Sequence, residues 1–147
     1  MLILPCGITG FDAKPTADLK RFRAGLYTAA RTHGFTVSEP VPQQPEDVCS
    51  YVRAEVTSYS TNIVVLLNVY ASWLAFSLPP ERHKFDYQFC NFPQLGQHFT
   101  QCKVTDADYL AMTPKAVHLS KLSRTEQGEI RAWRPANIGE IVFNSWD

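Results

Sequence analysis

His83, Asp86 and Cys90 fall inside the ten-residue stretch "HKFDYQFCNF" (83–92), and His98 follows eight positions after Cys90. A cysteine and a histidine can make a nucleophile when the imidazole stabilises the thiolate, a third group orients the ring, and backbone donors hold an oxyanion. The same side chains could ligate a metal if three or four of them converged. The spacing enforces neither arrangement. Phe85, Tyr87 and Phe89 alternate with Asp86, Gln88 and Cys90, which is the period of a strand with an aromatic face and a more polar one. No glycine-rich nucleophile turn surrounds Cys90, and a free cysteine usually behaves as a small buried hydrophobe. The chain has no H-E-x-x-H, no C-x-x-C and no Asp-rich calcium loop. "CGITG" (6–10) lacks the third glycine of a dinucleotide loop and the Lys-Ser/Thr of a phosphate loop, so it reads as a turn. Lone His33 and His118 read as structural. No catalytic residue, metal ligand or cofactor is therefore assigned. A small hydrolase or transferase using Cys90 or Cys49 with a histidine stands as the alternative reading.

A chain of 147 residues with 45% apolar and 12% aromatic side chains can bury one core, so a single domain, 1–147, is expected. Its 14 basic and 14 acidic residues cancel, which removes the long-range positive field that collects nucleic acid. Cys6, Cys49, Cys90 and Cys102 lack the dense spacing of a disulfide scaffold and read as reduced thiols. The opening "MLILPCGITG" is too short for a signal sequence and has no basic start, so a cytoplasmic protein is expected. The uncharged run before Glu81 approaches the length of a membrane span, but Asn62, Asn68 and Ser72 interrupt it and Pro79-Pro80 close it. It reads as two buried strands.

The clearest element is an amphipathic helix over 16–33, capped by Thr16 and ended by Gly34, with Leu19, Phe22, Leu26, Ala29 and Ala30 recurring at three- and four-residue steps. Pro40, Pro42 and Pro45 then make a stiff connector. A second helix is expected from Glu46 and Asp47 to about Ser58, with Val48, Tyr51, Val52 and Val56 as its apolar stripe. Strands are expected at 2–6, 62–69, 72–78 and 85–90, with brief extended segments at "FTVSEP" and "CKV" and a helical turn or two on "DADYLAMT" behind Thr105. The last third reads as strand, turn at "SRTEQG" and strand, then a final strand on "IGEIVFNSWD". The expected architecture is α+β: a mainly antiparallel sheet with two N-terminal helices packed on one face.

Exposed aromatics and carboxylates suggest a binding surface, since interfaces favour Trp, Tyr and Arg as anchors. The candidates are Tyr109, Trp133 and Trp146, with Glu81, Asp86, Asp106 and Asp108 as charge partners. The C-terminal "RPANIGEIVFNSWD" resembles the ending of small bacterial immunity proteins, encoded beside contact-dependent or other polymorphic toxins. The resemblance implies stoichiometric binding to one cognate toxin domain, blocking it; with the charge balance and the interrupted apolar run, the expected protein is a monomer or weak homodimer that uses neither nucleic acid nor membrane. It carries over no catalytic residue. A structural subunit of a larger assembly, docking through 56–80, is a further alternative.

Overall fold

The long apolar run breaks into two strands because Asn68 and Ser72 hold the chain in a tight reversal. Asn68 Oδ1 accepts hydrogen bonds from the backbone N–H groups of Tyr70 and Ala71 (2.9 and 2.8 Å), and Ser72 adopts φ 57°. The computed structural model describes residues 2–46, 48–81 and 85–146. In chain order its elements are α1 (Leu19–His33), β1 (Thr36–Val37), β2 (Tyr51–Thr57), β3 (Asn62–Asn68), β4 (Trp73–Leu78), β5 (Gln88–Cys90), α2 (Pro93–Gly96), β6 (Lys103–Val104), α3 (Ala107–Leu110), α4 (Arg124–Trp133) and α5 (Ile138–Val142). The class is α+β.

The strands β1 to β5 follow one another as an antiparallel meander. The outer edge of β4 is shared. β5 runs antiparallel along its second half, with Phe76 opposite Cys90, and β6 runs parallel to its start, with Trp73 opposite Lys103. Both faces of the sheet are covered. Ile63, Val65 and Leu67 of β3 join one core, and Val64 and Leu66 join the other. Covering both faces gives an antiparallel strand the continuous hydrophobic pattern more usual in parallel sheets.

On the first face lies α1. Phe22, Leu26, Ala29 and Ala30 are its buried residues, spaced by four, three and one, the stripe of an amphipathic helix. Asp18 rather than Thr16 is the cap, its carboxylate accepting from the N–H of Arg21, and Gly34 closes the helix at φ 74°. Gly25 permits close packing: a Cβ there would stand 2.9 Å from Phe99 Cε1.

The second face is covered by the segment 2–10 and by α3, α4 and α5, through Leu4, Ile8, Leu110, Ile130, Ile138, Ile141 and Val142. Irregular backbone in a buried place must find partners for its amides and carbonyls, and four polar side chains supply them. Asn68 Nδ2 donates to the carbonyls of Ile8 and Val142 (2.8 and 2.6 Å). Asn144 Nδ2 donates to those of Thr9 and Ile141. Ser50 Oγ donates to Val142 O and accepts from Asn144 N. Glu126, fully buried, accepts from Gly7 N at 2.8 Å, Thr9 N at 3.1 Å, Thr9 Oγ1 at 2.5 Å and Ser123 N at 3.1 Å. Burial alone would raise the pKa of this carboxyl. The hydrogen bonds from Thr9, Gly7 and Ser123 outweigh burial and hold it below the ordinary range.

Five expectations are corrected here. Residues 51–57 form strand β2, so one N-terminal helix, not two, packs on the sheet: Val52, Ala54 and Val56 alternate with Tyr51, Arg53 and Glu55, and a β-branched stretch at period two suits a pleated surface. Residues 2–6 are irregular. Of the expected strand–turn–strand of the last third, the first strand is a series of turns over 116–121, and the turn and second strand are the helix α4, opened by a capping box in which Ser123 Oγ accepts from Glu126 N and Glu126 reaches back to Ser123 N. "IGEIVFNSWD" holds α5, capped by Asn137. The expected strand at 85–90 is shortened to β5. No helix among the described residues is long and apolar enough to cross a membrane.

Candidate partner-binding surface

Strand alternation sends Val52, Ala54 and Val56 into the α1-side core and leaves Arg53 and Glu55 half-exposed. Together with Tyr51 they form one wall of a groove of about 200 Å³. Pro40 and Pro42, with Glu39 and Glu46, form another; Phe85 and Tyr87, just before β5, close it. The phenol oxygens of Tyr51 and Tyr87 lie 2.8 Å apart. The Arg53 guanidinium sits 5.7 Å from the centre of the Tyr87 ring and 2.9 Å from Glu55 Oε1, a geometry of cation–π attraction combined with an ion pair.

Burial, with the Tyr87 hydroxyl adding to it, raises the Tyr51 phenol far above its ordinary value. Burial also raises Tyr87, against the opposing pull of Tyr51 and Arg53. Burial lowers the pKa of Arg53, but the Glu55 hydrogen bond and Tyr87 outweigh it and the cation is retained. The groove therefore offers two protonated phenols, a fixed cation and apolar walls. Those are the groups of a recognition surface.

Two further grooves adjoin it. One shares Phe85 and Tyr87 and continues over Asp86, Asn137, Gly139, Glu140 and Phe143. The other shares Gln44, Glu46 and Cys49 and continues over Phe11, Tyr70 and Trp146. Trp146 stacks on Trp133, with ring centres 6.1 Å apart and planes 6° from parallel. Trp133 is 47% exposed, and its indole N–H donates to Glu129 Oε2 at 3.2 Å.

Of the residues singled out from the sequence, Trp133 and Trp146 thus meet, and Asp86 lines the adjoining groove. The others do not join them. Asp106 accepts from Asn91 Nδ2 at 2.9 Å beside a separate hollow lined by Phe92 and Val104, and Asp108 is exposed in the first turn of α3. Tyr109 is structural: its hydroxyl donates to Leu2 O at 2.8 Å and its ring packs against Trp73 and His118. Glu81 is exposed. His83 lies outside the described residues. Tyr51, Arg53 and Glu55 were missed because the stretch was read at helical period; their alternation in "YVRAEVT" was the available signal.

Cys90 packs against the core, and burial pushes its thiol up, opposite to what a nucleophile needs. His98 is engaged by His33 instead. Within the segment 56–80, Ile63–Val69 and Trp73–Ser77 are buried, whereas Tyr59, Ser60, Asn62, Leu78 and Pro79 are exposed. Compared with protein-family models, curated proteins and solved structures, the chain has no significant match.

Proposed function

We propose that this protein is an immunity protein: a cytoplasmic, monomeric or weakly dimeric binder that holds one cognate bacterial toxin domain stoichiometrically and blocks it. The observation that carries the reading is the Trp133–Trp146 stack, half-exposed at Trp133 and fixed by Glu129. An aromatic anchor already held in place loses little freedom on binding, and Trp is among the residue types that most often carry interface energy. The stretch that resembles immunity proteins supports the same surface: Asn137, Gly139, Glu140 and Phe143 line the groove beside Asp86, and Trp146 lines the next.

The test is co-purification of the tagged protein with the product of the adjacent upstream gene, followed by calorimetry and a toxicity-rescue assay. A tight one-to-one complex that suppresses toxicity is expected. Trp133→Ala should weaken it by about 2 kcal/mol or more, roughly thirty-fold in Kd, with little change in Tm. Absence of both complex and rescue would sink the proposal.

A further inference from the structure

The C-terminal end of α1 and the turn that follows α2 each bring one histidine to a common point. His33 Nε2 and His98 Nε2 lie 3.0 Å apart, with ring centres 5.1 Å apart and planes at 67°. The pair is half-buried, and the amide of Gln97 approaches His33 Nε2 to 3.5 Å. Two nitrogens on one metal ion, each at about 2.0–2.1 Å, stand roughly 2.9 Å apart at a right angle and about 3.4 Å apart at the tetrahedral angle. The observed separation falls inside that range.

We propose that His33 and His98 form a two-histidine site for a borderline divalent transition-metal ion, of the class of Zn²⁺, Ni²⁺ and Cu²⁺, bound through both Nε2 atoms. Imidazole nitrogen is a preferred donor for these ions. Without metal the pair is an N–H···N hydrogen bond, one ring donating and the other accepting. On binding, the bridging proton leaves Nε2 and both rings carry their proton on Nδ1, so each presents a lone pair to the ion. The remaining positions take water, within reach of the Gln97 amide. Cys102, nearby in sequence, does not converge with the two imidazoles on one point and is not a third ligand. No group of three or more His, Cys, Asp or Glu converges among the described residues, so the site is an exchangeable one that ties α1 to the α2 turn.

The test is calorimetric titration of the full chain, free of any histidine tag, with Ni²⁺ and with Zn²⁺ at neutral pH. One equivalent is expected to bind and to raise Tm. His33→Gln and His98→Gln should each abolish both effects, whereas Cys102→Ser should leave them intact. Should either glutamine variant misfold by circular dichroism, the imidazole ¹⁵N resonances of the native protein decide: two Nε2 signals must move with one equivalent of Zn²⁺. No binding at one equivalent, binding that survives both glutamine variants, or loss in Cys102→Ser would overturn the site.

Discussion

On one face of the sheet a single fifteen-residue helix supplies an apolar stripe; on the other, the segment 2–10 and three shorter helices are held by Glu126, Asn68, Asn144 and Ser50. The first face needs few polar side chains because a helix satisfies its own backbone. The second leaves many amides and carbonyls to be met by whatever side chain reaches them. The faces should therefore fail differently: the first through lost volume, the second through lost hydrogen bonds.

The largest effect expected is at Glu126. Glu126→Ala leaves Gly7 N, Thr9 N and Thr9 Oγ1 without their acceptor, and should destabilise by about 3–5 kcal/mol in urea unfolding. Amide exchange should accelerate first at Gly7 and Thr9. The pH dependence has a definite sign. The folded carboxyl lies below its unfolded value, so its contribution is complete above the unfolded pKa, about 4.3, and is lost as pH falls through the folded one. Glu126→Gln should flatten that acid-side loss. Equal acid slopes in both proteins would show that the carboxylate is not what holds the segment.

The next effect compares the faces directly. Asn68→Leu keeps the branched skeleton, with added bulk, but strands the carbonyl of Ile8 and the amides of Tyr70 and Ala71 and leaves Val142 O with Ser50 Oγ alone, a loss of about 2–4 kcal/mol. Leu26→Met on the α1 face, a volume-conserving change, should lose no more than about 1.5 kcal/mol. If the order of the two midpoints were reversed, the contrast between the faces would be wrong.

The same contrast explains what the sequence disclosed. The helix α1 and the strands β3 and β4 were legible because packing alone sets their patterns: Phe22, Leu26, Ala29 and Ala30 at helical period, and a run buried on both sides in β3. The second face was not, because its order resides in long-range contacts such as Glu126 to Gly7, 119 positions apart, which leave no local period. The strand β2 fell between these cases: Tyr51, Val52 and Val56 fit a helical stripe as well as an alternation, and only Ala54, buried on the α1 side, separates the two. The surface followed suit. Trp133, Trp146 and Asp86 were recognisable by type, whereas Tyr51, Arg53 and Tyr87 become a group only after β2 and the approach to β5 are placed side by side.

The smallest effect sharpens the comparison at one residue, Ser123, where local and long-range roles meet. Its hydroxyl accepts from Glu126 N at 3.1 Å while Glu126 accepts from Ser123 N, so the cap also aims the carboxylate that gathers Gly7 and Thr9. A cap acting alone would lose about 1 kcal/mol in Ser123→Ala, and Ser123→Asn would restore nearly all of it. If the cap also positions Glu126, Ser123→Ala must additionally speed exchange at the Gly7 and Thr9 amides, which lie more than a hundred residues away in sequence, and Ser123→Asn must slow it again. Exchange confined to the first turn of α4 would reduce Ser123 to a local cap and leave Glu126 to hold the second face through its own hydrogen bonds from Gly7 and Thr9.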